Sequence, residues 1–339
     1  MAQEAERARL KSLWSRGCSL LGVEYAILGG AMTWVSERNL VAAISNAGGF
    51  GVLAGGAMTP ELLSDEISGT RSLTSKPFGV NLITMHPDLD RLIDVCADHG
   101  VGHVVLAGGL PTSESLKRIK GHGARVLAFS PALAFAKRLS RSGVDGIIVE
   151  GMEAGGHIGP VSTSILAQEI LPELLDTPVF VAGGIGRGEA IAAYLRMGAA
   201  GVQLGTRFVC AEESIAHPNF KRAFIKASAR DAQPSVQLDP RFPVIPVRAI
   251  RNAATREFAE TQREVIVRFY SGELDQKEAQ LEIERYWAGA LRRAVIEGDV
   301  ERGSVMAGQS VGMVTCEQPT AEIIGTLVEQ AAAALDDRA

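Results

Sequence analysis

Cysteine is scarce and scattered in this chain: Cys18, Cys96, Cys210 and Cys316 are the only ones among 339 residues. No Cys-x-x-Cys spacing links them, which argues against a zinc site or a disulfide framework and leaves reduced thiols. Basic residues are outnumbered, 34 Lys and Arg against 39 Asp and Glu, for a net charge of -5. That balance supplies neither the basic footprint of a nucleic-acid binder nor a polybasic membrane patch, and it leaves a small-molecule or acidic-carrier partner open. Long apolar runs are missing too, so no segment reads as a membrane span. The first residues, Met1-Ala-Gln-Glu-Ala-Glu-Arg7, lack the apolar core of a secretory signal. These deficits predict a soluble, cytoplasmic protein. Its length suffices for one large barrel with an appendage or for two ordinary domains, with no need of staples.

Glycine is what the chain has in excess: 37 residues, about 11% where about 7% is usual. Short runs rich in Val, Ile and Leu recur at Tyr25 to Leu28, Gly51 to Ala54, Phe78 to Leu82, His103 to Leu106, Arg125 to Ala128, Gly146 to Val149, Val179 to Ala182 and Gly201 to Leu204. Between them, helical patterns run over Asn39 to Ala47, Pro60 to Ser72, Asp88 to His99, Ser113 to Gly121, Ala132 to Ser142, Thr163 to Leu175 and Arg187 to Gly198. Several open on an N-cap or proline and stop at glycine, as Thr59-Pro60 and Gly198 do. Such βα alternation over roughly 200 residues predicts an α/β protein, a (β/α)8 TIM barrel, in preference to an open doubly wound sheet.

In a barrel the strand exits gather on one face, where the chemistry sits. Here most exits are small, among them Gly29-Gly30-Ala31-Met32-Thr33, Gly183-Gly184 and Gly205-Thr206. The last two occupy the positions at which barrels bind phosphate with backbone N–H groups, and Ala182-Gly-Gly-Ile-Gly-Arg-Gly188 leads into a helix. As a dinucleotide fingerprint that stretch has the wrong spacing, and simple tight-turn packing is the alternative. The exit Glu150-Gly-Met-Glu-Ala-Gly-Gly-His-Ile-Gly159 adds an acid and a histidine. A histidine between glycines at a barrel exit points to function, since imidazole near neutrality positions a carbonyl, donates a proton or takes one. His99, His103 and His122, at helix or strand edges, read as structural or solvated.

After Phe208 the pattern changes. Ala211 to Arg230, Thr255 to Phe269 and Glu273 to Glu297 read as helices around a proline-punctuated loop at Gln233 to Val247. A mainly helical cap inserted after the eighth strand follows, before a small-residue loop at Gly303 to Gly312 and a final helix from Thr320 to Leu335. The expected organisation is an N-terminal helical extension (1–20), a barrel (21–210 and 303–339) and a cap or substrate domain (211–302). Arg248 and Arg251 in the cap are candidates for an acidic carrier or a nicotinamide phosphate, against the ordinary reading of solvated arginines.

Together, Gly30-Ala-Met-Thr-Trp34, Asn46-Ala-Gly-Gly-Phe-Gly51, Lys76-Pro-Phe-Gly-Val-Asn81, the 150–159 exit, Ala182-Gly-Gly-Ile185, Gly205-Thr-Arg-Phe208 and Gly303-Ser-Val-Met-Ala-Gly-Gln309 resemble the flavin barrel family. Its members include nitronate monooxygenases (2-nitropropane dioxygenases) and enoyl-ACP reductase II. The resemblance runs in order from about Leu21 to Leu335. It implies an FMN-binding TIM barrel. Ala31, Met32 and Thr33 would pass the flavin ring, Asn81 would meet its polar edge, and Glu150 would contact the ribityl chain or ring. Gly156 would line the same site, Gly183, Gly184, Gly205 and Thr206 would bind the phosphate, and His157 would be the catalytic residue at the reactive face. Ser304, Met306 and Gly308 would line the substrate side. No role calls for a metal.

The 150–159 exit, Ala216-His-Pro-Asn-Phe220, Val247-Arg-Ala-Ile250 and the 303–309 loop are more similar to enoyl-ACP reductase II than to the nitronate enzymes. Ser130 stands where the latter often carry lysine. Gly29 stands where both branches often carry glutamine, a departure expected to alter contacts at the mouth. The resemblance therefore implies reduction of an activated double bond, such as a 2-enoyl thioester, by NADH or NADPH through FMN. The alternatives are oxidation of nitronates by O2 and, in another class, a non-catalytic barrel binding a phosphorylated ligand. The acyl group would arrive on acyl carrier protein, on CoA or free, and a homodimer is implied.

Overall fold

The computed structural model describes residues 2–244, 246–287 and 289–336. The expected barrel segment 303–339 therefore ends outside the described residues. Eight parallel strands close the barrel in the order β1 (Ile27–Gly29), β2 (Phe50–Ala54), β3 (Phe78–Ile83), β4 (His103–Ala107), β5 (Arg125–Ser130), β6 (Gly146–Glu150), β8 (Val179–Ala182) and β9 (Gly201–Leu204). Closure is by β1 on β9, with Ile27 opposite Val202. Their residues are almost all buried, as expected of parallel strands covered by helices on one face and packed against each other on the other. The TIM barrel expected from the glycine-punctuated apolar runs is thus present.

Helices α3 (Arg38–Asn46), α4 (Pro60–Leu73), α5 (Leu89–Asp98), α6 (Ser113–Gly121), α7 (Leu133–Arg141), α8 (Thr163–Ile170) and α9 (Gly188–Arg196) form the outer ring. Glu37 caps α3 with its carboxylate, while Thr59 and Thr112 cap α4 and α6 with hydroxyls. The expected helix to Leu175 breaks off at Ile170 into a 3-10 turn, because Pro172 has no N–H to continue the ladder. Two N-terminal helices, α1 (Ala2–Leu13) and α2 (Ser15–Leu21), with Trp14 in the turn between them, place Leu10, Trp14 and Leu21 in the main core. His103 is structural, its Nε2 2.8 Å from Leu20 O and its ring edge-on to Phe50. The C-terminal α14 (Thr320–Ala333) lies on α9 so closely that a Cβ on Gly188 would fall 2.2 Å from Leu327 O.

Between β9 and α14 the chain forms α10 (Pro218–Lys226), α11 (Ala253–Tyr270), α12 (Gln276–Arg285) and α13 (Ala290–Val295). The helix expected over Ala211 to Arg230 is confined to α10, because Pro218 disfavours helical backbone in the residue before it. The one expected over Glu273 to Glu297 divides into α12 and α13 before the left-handed Gly289 (φ 72°). A second hydrophobic cluster of Phe242, Phe258, Val265, Ala279 and Ile283 holds this part together. A feature not anticipated is a three-stranded sheet of β10 (Ala232–Pro234), β11 (Val247–Ile250) and β7 (Gly156–His157). Its last strand belongs to the loop that follows β6.

Two glycines separate packing constraint from backbone entropy. A Cβ on Gly17 would lie 2.1 Å from Ala200 O under the barrel, whereas a Cβ on Gly325, inside α14, meets nothing within 4 Å. We expect Gly17→Ala to destabilise by about 1–3 kcal/mol or more through overpacking. Gly325→Ala should stabilise by about 0.5–1 kcal/mol by restricting the unfolded chain. Urea unfolding measures both; equal effects would mean that the Gly17 contact relaxes freely.

Candidate active site

The loop leaving β6 carries most of the predicted chemistry and is held from three directions. Gly151 permits close approach to α8, since a Cβ there would sit 2.1 Å from Thr163 Oγ1. Glu153 then accepts hydrogen bonds from Thr163 N and Oγ1, both 2.8 Å, so this second acid of the motif is an anchor of α8. Gly155 meets the return loop, with a would-be Cβ 2.6 Å from Gly308 N, and Gln309 N donates to Glu153 O at 2.9 Å. Finally Gly156 and His157 pair antiparallel with Arg248 and Val247, and Ile158 N donates to Pro246 O at 3.0 Å.

Arg248 reinforces that pairing. It is 3% exposed, Nε donates to Met152 O (2.9 Å), and Nη1 donates to Ala232 O (2.6 Å). No carboxylate salt-bridges it among the described residues, and desolvation lowers its pKa. The sequence offered Arg248 as a contact for an acidic carrier; the structure instead makes it a tie between the cap sheet and the β6 loop. Arg251 is exposed. Nothing in the sequence marks Arg248 as buried, because its burial depends on a strand pairing between segments about 90 residues apart.

Glu150 ends β6 opposite Ala182. It has no hydrogen-bond or ion-pair partner among the described residues. Its side chain keeps some accessible surface, yet protein encloses it enough that desolvation pushes its pKa up from 4.5 to about 8. The His157 side chain also has no polar partner among the described residues. It is exposed on one side, while desolvation by the protein on the other holds its pKa below 6.5. The imidazole is therefore neutral at pH 7, with one nitrogen donating and the other accepting.

Asn81, at 6% exposure, donates through Nδ2 to Val105 O at 3.0 Å, which leaves Oδ1 without a protein partner. Ala31, Met32 and Thr33 are half-buried along the first exit, shaped by Ser36 Oγ, which donates to Gly30 O and accepts from Met32 N. The expectation about Gly29 is corrected. A side chain there would strike Ile44 Cδ1 of α3 at 2.4 Å, so a residue at that position does not face the mouth. Gly30 faces inward instead, with a would-be Cβ 3.3 Å from the Gln203 amide. Gln203, buried in β9 with no side-chain partner among the described residues, is a site candidate that the sequence reading missed. A lone polar residue inside an apolar strand was the available signal.

Gly183 (φ 98°) and Gly184 (φ 72°) are successive left-handed residues after β8. Side chains on them would crowd Thr163 Oγ1 and Glu153 Cβ, both at 2.9 Å, so the turn is open only to glycine. Such a turn before a helix presents backbone N–H groups to an anion. One of them is already used, since Gly188 N donates to Gln330 Oε1. Across from it, Gly205 lies against Met32, and Thr206 Oγ1 accepts from Gly308 N at 2.9 Å, leaving its own O–H free to donate. Met306 comes within reach of Gly156, a would-be Cβ lying 3.5 Å from Sδ. Ser304 does not join this group; it is buried beneath the cap with its N–H donated to Ala290 O.

Three polar groups with no protein partner among the described residues (Glu150, Asn81 Oδ1 and the Gln203 amide), an anion cradle and an uncommitted imidazole therefore face one barrel mouth. The set fits a phosphate-bearing ligand with a polar ring. The sequence profile described as nitronate monooxygenase matches residues 15–94 and 85–330. The chain belongs to the nitronate monooxygenase family.

This family membership makes it an oxidoreductase of a flavin-dependent family and sets aside the reading as a non-catalytic barrel. FabK from Thermotoga maritima, an enoyl-ACP reductase II, superposes with a TM-score of 0.85 at 36% identity, covering 95% of this chain and 97% of that one. A (3aS,4S,5R,7aS)-5-hydroxy-7a-methyl-1-oxo-octahydro-1H-indene-4-carboxyl-CoA dehydrogenase from Rhodococcus jostii is 37% identical over 65% of this chain and 62% of its own length. The Mycobacterium tuberculosis enzyme of the same name is 30% identical over 91% of this chain and 93% of its own. Among the described residues no helix is long and apolar enough to cross a membrane.

Two measurements check the local physics. Arg248→Met keeps the apolar stem but removes two charge-assisted bonds, each worth about 1.5–3 kcal/mol. We expect the Ile158 amide to exchange at least about ten-fold faster, with β3 and β4 amides unchanged; equal protection would show that the arginine is dispensable. For Glu150, the folded pKa of about 8 exceeds the unfolded 4.5, so the folded protein binds the extra proton between those values. Stability of the flavin-free protein should therefore fall by up to about 1.4 kcal/mol per pH unit as pH rises through that window. Glu150→Gln should flatten the fall, and unchanged slopes in thermal denaturation would rule this account out.

Proposed function

We propose that this chain is an FMN-dependent reductase that uses NADH or NADPH to reduce the activated double bond of a 2-enoyl thioester in the cytoplasm. The observation that carries the reading is the neutral, unpartnered His157 on a strand fixed beside the glycine cradle. The thioester substrate is supported by the names of the relatives, FabK and a carboxyl-CoA dehydrogenase. Carriage on acyl carrier protein or on CoA fits the same chemistry.

In this reading Ala31, Met32 and Thr33 lie along the flavin ring. Asn81 Oδ1 accepts from its polar edge, and Glu150, protonated at neutral pH, donates to the ring or ribityl chain. Gly156 lets the ligand approach the loop backbone. Gly183, Gly184 and Gly205 offer backbone N–H groups, and Thr206 its hydroxyl, to the phosphate. Bound flavin supplies hydride transfer from NAD(P)H to the β-carbon of the substrate. His157 donates its ring N–H to the thioester carbonyl oxygen and polarises the double bond; solvent water supplies the balancing proton to the α-carbon. Met306 and Gly308 border the substrate, with Ser304 supporting them from below, and residues 211–302 act as the substrate domain over the mouth. The proposed assembly is a homodimer, measurable by light scattering.

Nitronate oxidation is the second reading. A lowered pKa also suits His157 as a general base toward a nitroalkane carbon, and the family description favours it. The test is direct. Anaerobic mixing of FMN-loaded protein with NADH or NADPH should bleach the flavin, and a 2-enoyl-CoA should restore its colour. Bleaching with neither nucleotide, together with O2 uptake on propionate-3-nitronate alone, would establish the second reading instead. In the reductase, His157→Ala should lower kcat by roughly 100-fold or more with FMN binding retained. An imidazolium still donates to the carbonyl, so the pH–rate profile of the reductase should show no loss on account of His157 as pH falls below 6.5, whereas a general base toward a nitroalkane should lose activity there as the ring gains its proton.

A further inference from the structure

A cavity of about 240 Å3 lies next to the first strand exit, between the barrel and α13. Its apolar walls are Trp34, Ala57, Met58, Leu62, Ile215 and Ile296. The charged groups on its margin are already satisfied. Glu37 accepts from Asn39 N and Leu40 N, Glu66 holds the Arg38 guanidinium, and Arg292 pairs with Glu297 while lying 5.8 Å over the Trp34 ring. Ser36 is spent on Gly30 and Met32. What remains is Thr33, whose hydroxyl has no partner among the described residues and whose backbone also borders the expected flavin position. A recess so lined offers little to a polar ligand and much to a hydrocarbon.

With about eight water-sized volumes, the cavity is a recess open to solvent, where Leu62 and Ile215 are 38% and 49% exposed, so its walls form an apolar surface that the described residues leave uncovered. Trp34 is also the one non-glycine residue in the left-handed region among the described residues, with φ 69°. Backbone strain of that kind persists where surrounding structure enforces it, and it clusters at ligand clamps. Here it turns a large ring into the wall of the cavity and leaves the space open.

We propose that this cavity receives the apolar acyl part of the substrate, entering past the Thr33 hydroxyl. The inference rests on the thioester-reductase reading and narrows it to acyl groups of up to about eight carbons, the number of such volumes available. Short or polar acyl groups leave the space unused.

The test uses FMN-loaded full-length protein and unreactive saturated probes, butanoyl-CoA and octanoyl-CoA, titrated by calorimetry. Burial of four more methylenes should make octanoyl-CoA bind on the order of 100-fold more tightly. Ala57→Trp places bulk in the cavity from an exposed position on its rim, and Ile296→Phe does so from the cap side. Either plug should erase the chain-length preference while leaving butanoyl-CoA affinity and FMN content unchanged. Octan-1-ol, which lacks the thioester, supplies an independent arm: binding that both plugs remove supports the cavity even where the acyl-CoA probes fail, and that failure then counts against the thioester reading alone. Equal affinity for the two acyl-CoA probes, or octan-1-ol binding that survives both plugs, overturns the proposal.

Discussion

The antiparallel pairing of Gly156–His157 with Val247–Arg248 is the constraint on which the barrel mouth depends. A glycine-rich loop of this length, left to itself, would sample many conformations, and ordering it costs roughly 1–2 kcal/mol per residue. The pairing removes that freedom by making the loop a strand of the cap sheet. Arg248 adds to it by joining Met152 on the loop to Ala232 on the neighbouring strand. The segment between β9 and α14 thus sets where the imidazole stands.

The small exits serve two separable ends. At Gly151, Gly155 and Gly308 the missing Cβ lets three backbone segments touch, so the loop after β6, the start of α8 and the return loop share one packed base. At Gly183 and Gly184 the gain is conformational, since only glycine holds two successive left-handed residues there at little cost. The polar groups that remain uncommitted, Glu150, Asn81 Oδ1 and the Gln203 amide, line the space these contacts enclose. A buried polar group without a partner is costly, and three facing one mouth are readily explained by a ligand that satisfies them.

The barrel was legible because its strands are buried on both faces and therefore read as Val, Ile and Leu runs, most of them followed closely by glycine. Helix ends were legible where local chemistry sets them, as at Thr59-Pro60. They were misplaced where Pro218 and Gly289 interrupt a pattern that periodicity alone would continue. The expectation for Gly29 failed because a side chain's direction in a three-residue strand depends on the pleat, and the pleat places that position toward Ile44. The cap sheet escaped notice because β7 is two residues long and its partner lies far along the chain.

By itself, then, the sequence determined the element order, the glycine exits and the presence of an acid and a histidine behind the sixth strand, since these follow from local pattern and steric freedom. Tertiary structure alone decided which acid is available. Glu153 is consumed by Thr163, whereas Glu150 is left desolvated and unpaired. It also decided that Arg248 is a buried tie, that Gln203 faces Gly30, and that His157 is held by the cap. The physical reason is common to all four: hydrogen bonding and desolvation depend on which distant groups come within a few ångströms, and the spacing of residues along a chain does not carry that information.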